Sequence, residues 1–240
     1  MQLCFMNQSI IFVIVMKDKI SAWGENDQKN YGRRTAKGIG EISIEDSFGS
    51  FIFQLALDDN NKSFLEIGTW NGLGSTACFA SGLKNRTDDF VFFSLEVNQQ
   101  KCVDAEKLYQ HENRIHILNE TILRDPPSIV SLLRLFPHLV RHKQRRNWLR
   151  VDLKNMRTCR CFLDRPGSPK KFDVVLLDGG EYTTYFEYQI LRNRTKNLLL
   201  DDVGVEKCKR IRRELLNSSQ WELIAEDLAL RNGWSAFMTK

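Results

Sequence analysis

The sequence predicts an α/β fold: a doubly wound, mostly parallel sheet of seven strands with helices on both faces. Three observations predict it. Short apolar runs alternate with segments of helical period from residue 44 to the end. The run Phe64-Leu65-Glu66-Ile67 breaks into a turn holding Gly68, Gly72 and Gly74 and then enters a helix-like segment from Ser75, the pattern of a buried parallel strand, a tight turn and a helix N-terminus. The next strand, Val91 to Leu95, ends in Glu96, where a doubly wound fold places a carboxylate able to accept hydrogen bonds from ribose hydroxyls.

The elements follow in order. Ile44, Phe48, Phe51, Ile52, Leu55 and Ala56 repeat at the helical period, so 44–57 is an amphipathic helix laid on the sheet. Strand 63–67 leads to helix 74–84, strand 90–96 to helix 99–110, and strand 114–118 to an apolar helix at 128–136. After a basic insertion at about 137–171, strand 172–178 leads to helix 183–193 and strand 197–201 to helix 204–217. Strands 221–228 and 233–239, joined across Arg231-Asn232-Gly233, close the chain. Residues 1–43 read as an N-terminal arm and entry segment, with 44–240 as the single domain that 240 residues and 42% hydrophobic content can support.

Charge and cysteine usage narrow the function classes. The net charge of +5 is uneven: 141–171 holds eleven Lys/Arg against Asp152 and Asp164, +9, leaving −4 elsewhere. That is a local basic patch rather than a generally basic protein. The apolar run Ile10 to Met16 has seven residues, too few to span a bilayer, and lacks the flanks of a targeting signal. Six scattered cysteines, of which Cys159 and Cys161 alone are close, match no zinc spacing and read as reduced thiols of a cytoplasmic protein. Of six Asn-x-Ser/Thr sequons several, Asn61 and Asn119 among them, sit beside predicted core strands, and all are read as composition. His111, His116, His138 and His142 fall outside every motif and are read as surface or packing residues.

The glycines run Gly68-x-x-x-Gly72-x-Gly74, which is not the dinucleotide fingerprint. The pattern acidic-x-Gly-x-x-x-Gly-x-Gly resembles the first motif of class I S-adenosylmethionine-dependent methyltransferases. That resemblance covers about 44–240 and implies the Rossmann-like methyltransferase fold with an antiparallel last strand. It implies S-adenosylmethionine as cofactor, with Glu66, Gly68, Thr69, Trp70, Gly72, Gly74 and Ser75 as its loop, Glu96 on the ribose, and Asn119 or Glu120 at the adenine.

Strand four ends Leu177-Asp178-Gly179-Gly180-Glu181-Tyr182 and strand five ends Leu200-Asp201-Asp202, which brings three carboxylates to the carboxyl edge where open α/β sheets bind ligands. Crowded carboxylates repel unless a cation sits among them, and a hard divalent ion with oxygen ligands is the usual answer. Capping of the following helices is the alternative, because Asp is a favoured N-cap. The arrangement resembles metal-dependent O-methyltransferases, especially those with Asp-Gly-x-x-Tyr followed by Asp-Asp. It implies Mg²⁺ (or Mn²⁺) on Asp178, Asp201 and Asp202 and a sugar, glycan or other vicinal-diol acceptor. Where related enzymes carry Lys or His, this chain has Glu181, leaving Glu181 as base or as a fourth ligand, with Asp178 or a water as base. A nucleic-acid acceptor is the second reading, from Arg145-Arg146-Asn147-Trp148 in the basic segment. The Asp-Gly-Gly-Glu after strand four counts against base methylation. A non-catalytic binding module is the third. Oligomeric state is not legible.

Overall fold

A computed structural model describes residues 42–240; the arm assigned to the first 43 residues lies almost wholly outside the described residues. Helix α1 (Ser47–Leu57) starts where the Asp46 side chain accepts the Gly49 N–H at 2.7 Å. The first units follow the expected alternation: β1 (Ser63–Ile67), α2 (Ser75–Leu83), β2 (Val91–Leu95), α3 (Gln99–Tyr109), β3 (Ile115–Leu118) and α4 (Ile129–Leu135), preceded by the two-residue strand β4 (Glu120–Thr121). The insertion then contributes a helix the sequence pattern does not announce, α5 (Lys143–Met156), and β5 (Arg160–Cys161), which pairs with β4. The chain finishes with β6 (Phe172–Leu177), α6 (Thr184–Leu191), β7 (Thr195–Asp201), α7 (Lys209–Leu216), β8 (Trp221–Asp227) and β9 (Trp234–Thr239).

The main sheet has seven strands in the order β3-β2-β1-β6-β7-β9-β8. All pairs among the first five are parallel, and β9 is antiparallel to both β7 and β8. Alternate residues of each strand feed opposite layers. Phe64, Phe92, Val174, Leu176 and Leu199 pack under α1, α2 and α3, whereas Leu65, Ile67, Phe93, Val175, Leu177, Leu198 and Leu200 pack toward α6 and α7. Central strands buried on both faces explain the unbroken apolar runs.

Helix α5 follows the same logic on a smaller scale. Leu149, Leu153 and Met156, spaced by four and three, are its buried residues, and the first two join Leu132, Phe136, Leu139 and Tyr182 in a separate apolar cluster. The other face carries the charge, with Trp148 53% exposed among it. Among the described residues no helix is long and apolar enough to cross a membrane, and the five described cysteines are free. Asn61 is buried, its side chain donating to the Leu55 carbonyl at 3.1 Å.

Candidate active site

The carboxyl ends of β1, β2, β6 and β7 open into one cavity of about 590 Å³, a volume suited to a small-molecule ligand. Its floor is the β1–α2 turn. Gly68 adopts φ +98° because the turn passes directly under the end of β6: a Cβ there would lie 2.2 Å from the Asp178 carbonyl oxygen. Its N–H donates to the Leu95 carbonyl at 2.9 Å, which ties the turn to β2. Gly72, at φ +75°, packs against Ala105 and Tyr109 of α3 and does not line the cavity. Trp70, at φ +53°, is 58% exposed, and the Lys101 ammonium lies 3.3 Å from its ring centroid. Gly74 precedes α2 with no side-chain cap, so the first N–H groups of that helix are left to the cavity side.

Glu66 lies beneath this floor rather than in it. Fully buried, it accepts hydrogen bonds from Ser75 (2.5 Å), Thr76 (2.6 Å) and Ser94, joining β1, α2 and β2 at one point. Burial outweighs those hydroxyls and pushes its pKa up to about 7. Thr69 extends the network, 2.5 Å from the Ser94 hydroxyl, and does line the cavity.

Glu96 stands at the end of β2 as the strand order requires. One carboxylate oxygen accepts the Trp70 N–H at 2.7 Å and the other the Asn98 N–H at 2.8 Å, so the group is aimed by two backbone donors. Burial raises its pKa against the pull of those donors. Asn119 supports this corner from behind, donating to the Glu96 carbonyl at 2.8 Å without reaching the cavity. Glu120 does line the cavity and is held by Arg165 at 2.7 Å.

On the other side, Asp178, Asp201 and Asp202 each offer an oxygen, all within 4.8 Å of one another. The capping alternative fails here. Helices α6 and α7 begin after Thr183 and Cys208, and neither takes a side-chain cap, so the three aspartates serve no helix end. Burial, then the charges of Asp178 and Asp202, pushes Asp201 up to about 7. Asp202, at φ +57°, moves the other way: burial raises it, but the Lys207 ammonium prevails. Three hard oxygen donors from two neighbouring strand ends, Asp178 after β6 and Asp201 and Asp202 at the end of β7, fit a divalent ion such as Mg²⁺.

Four charged residues at this site carry no signal that sequence reasoning used. Lys207 reaches Asp178 and Asp202 at 2.7 Å each. Arg231 lies 3.6 Å from Asp201 and 2.7 Å from Asp46. Asp152 of α5 and Glu187 of α6 close the cavity from the insertion side. The pair Gly179-Gly180 was the available signal, because each glycine makes room for one carboxyl. A Cβ on Gly179 would meet Glu187 Oε2 at 2.8 Å, and one on Gly180 would meet Asp152 Oδ2 at 2.9 Å. Glu181, by contrast, is half-buried near Lys207 and Asp202 and does not line the cavity; burial raises its pKa.

Glu187 gives a stability prediction. Among the described residues its Oε2 has no hydrogen-bond partner, and burial, then the charge of Asp152, pushes its pKa up to about 8, while Asp152 is itself raised by burial to about 6. A folded state that keeps a proton the unfolded chain releases near its ordinary pKa loses stability as pH rises between the two values. Glu187→Gln removes that loss. It is expected to match the parent at about pH 4, below the unfolded value, in urea unfolding and to exceed it by roughly 2 kcal/mol at pH 9, a figure discounted for water in the cavity. Parallel stability–pH curves for the two proteins would contradict it.

The sequence matches no protein-family model and no curated protein. Solved structures do match. The O-methyltransferase from Bacillus cereus in complex with SAH is 14% identical, with 91% of this chain and 93% of that chain covered and a TM-score of 0.54. The cofactor-bound Rv0187 from MTB is 14% identical over 95% of both chains, with a TM-score of 0.56. The O-methyltransferase TomG from Streptomyces achromogenes, involved in tomaymycin synthesis and solved with SAM, is 14% identical over 91% of both chains, with a TM-score of 0.53. Likeness at this identity speaks to architecture, and the strand order and antiparallel β9 agree with it. The chain therefore has the seven-stranded Rossmann-like fold of the S-adenosylmethionine-dependent O-methyltransferases.

Proposed function

We propose that the protein is an S-adenosylmethionine-dependent O-methyltransferase acting on a hydroxyl of a sugar, a glycan or another small molecule with adjacent hydroxyls. The observation that carries this reading is the opening of the glycine floor, Glu96 and the three-aspartate cluster into one cavity. The cofactor supplies a methyl group on a sulfonium, and a divalent ion, Mg²⁺ or Mn²⁺, supplies Lewis acidity that lowers the pKa of a bound hydroxyl.

The chain's own residues do the rest. Gly68, Thr69, Gly74 and Ser75 give a floor on which a ligand meets backbone and small side chains, and Glu96 accepts from ribose hydroxyls with its aim fixed by Trp70 and Asn98. Asp178, Asp201 and Asp202 would hold the divalent ion. Asp178 lies between floor and cluster, where its carboxylate would take the proton of an acceptor hydroxyl. Leu95, Val97 and Met156 line the cavity with apolar surface.

The test is incubation with labelled S-adenosylmethionine and a panel of sugars, nucleosides, catechols and RNA, with Mg²⁺ or with EDTA. Transfer to a hydroxyl is expected, reduced at least about tenfold by EDTA and by Asp201→Ala. Transfer indifferent to both would remove the ion from the mechanism. A ribose hydroxyl of RNA is the second reading, favoured because α5 offers Val151, Asp152 and Asn155 to the cavity and a basic face with exposed Trp148 to solvent. Salt-sensitive transfer to RNA alone would select it.

A further inference from the structure

We propose that Lys207 is the resident cation of the aspartate cluster, and that a divalent ion reaches Asp178 and Asp202 only by displacing its ammonium group. The inference rests on the metal reading above and deepens it. Lys207 Nζ lies 2.7 Å from Asp178 Oδ1 and 2.7 Å from Asp202 Oδ2, with its side chain 13% exposed. An ion such as Mg²⁺ bonds carboxylate oxygens at about 2.1 Å, so an ion bridging those same two oxygens takes the volume the ammonium fills. Two cations in one such space repel strongly, and one must leave.

The lysine is held where it is by the chain on both sides of it. Val203 N–H donates to the Gly233 carbonyl at 3.0 Å and Gly204 N–H to the Asn232 carbonyl at 2.7 Å, pinning the segment after β7 to the β8–β9 connection. Cys208, the next residue, is fully buried with its thiol 3.7 Å from the Leu177 carbonyl. Asp202 cannot readily turn away, because its Oδ1 accepts the Asn232 side-chain N–H at 2.9 Å. Asp201 is served differently: Arg231 stands 3.6 Å from it and binds Asp46 more closely, at 2.7 Å. The cluster therefore has a built-in counter-ion for two of its carboxylates and a looser one for the third. Metal affinity in this protein is set by a competition internal to the fold.

The experiment measures Mn²⁺ binding by calorimetry, without acceptor or turnover, in the parent chain, Lys207→Met and Asp201→Ala. Lys207→Met should bind Mn²⁺ about tenfold tighter or more than the parent, and Asp201→Ala more weakly. A second readout uses the unaltered protein. Saturating Mg²⁺ should increase modification of Lys207 by an amine-reactive ester, followed by peptide mass spectrometry, as the ammonium is released to solvent. That measurement decides the question if Lys207→Met does not fold. Equal Mn²⁺ affinity in the parent and Lys207→Met, or Lys207 labelling indifferent to Mg²⁺, overturns the competition while leaving the metal site standing. Absence of Mn²⁺ binding in both proteins overturns the metal reading and the competition with it.

Discussion

Asp178→Asn is expected to slow methyl transfer about 10²- to 10⁴-fold while S-adenosylmethionine affinity stays within a few-fold of the parent. The asymmetry follows from where Asp178 sits. Its backbone N–H donates to the Ile67 carbonyl at 2.9 Å and its carbonyl covers Gly68, so the peptide group helps build the cavity floor whatever the side chain is. The carboxylate faces the other way, to Lys207 and the aspartate cluster. Asparagine keeps the shape and loses the charge and the proton-accepting power. Lys207 keeps Asp202 at 2.7 Å, so the fold should survive, and a thermal melt checks that. Glu181→Gln is the companion measurement. Glu181 does not line the cavity, and its loss should change turnover less than about tenfold. Single-turnover rates with saturating acceptor, beside calorimetric cofactor affinity, separate the effects. Parent-like turnover in Asp178→Asn would take this carboxylate out of the chemistry, and a collapse in Glu181→Gln alone would transfer the role.

The architecture was legible because its signals are local and repeated. Runs such as Val174 to Leu177 and Leu198 to Leu200 are apolar on both faces, as only central parallel strands require, and β6 and β7 hold those residues in the middle of the sheet. The aspartates were legible for a related reason: residues at the ends of strands converge whatever the loops do. Lys207 was not, because helical period from 204 to 217 hides a break. The chain instead turns through Asp202 and Gly204 and begins α7 only at Lys209, which turns the lysine back onto the cluster. Asp152 was hidden in a run of positive charge whose buried stripe, Leu149, Leu153 and Met156, is thin against its Lys and Arg content. Nor does a motif say which of its side chains face a ligand. Glu66 and Glu96 both read as acidic residues near a strand end, yet one is enclosed by three hydroxyls beneath the floor and the other stands in the cavity wall.

A large stability loss from a single methyl group is expected at Gly68, where positive φ and backbone crowding combine. An alanine there must adopt φ +98°, outside the left-handed region that ordinary side chains reach at modest cost, and its Cβ would sit 2.2 Å from the Asp178 carbonyl oxygen and 2.7 Å from the carbonyl carbon. Neither atom is the end of a flexible side chain. Moving them apart stretches the Asp178–Ile67 and Gly68–Leu95 backbone hydrogen bonds, both 2.9 Å, which hold three adjacent strand ends together. Conformational strain and overpacking together suggest a loss of about 3–5 kcal/mol, a large part of the roughly 5–15 kcal/mol a domain has. At about 2–4 °C per kcal/mol for a chain of this size, the melting temperature should fall by roughly 10 °C or more. Gly167→Ala supplies the control: Gly167 also has positive φ, +81°, but a Cβ there meets nothing within 4 Å. It should lose only the strain contribution, about 1 kcal/mol. The difference between the two variants in denaturant unfolding isolates the cost of pressing the turn away from β6. A Gly68→Ala protein as stable as Gly167→Ala would mean that the ends of β1 and β6 can part at little cost, against the close packing of the turn under Asp178.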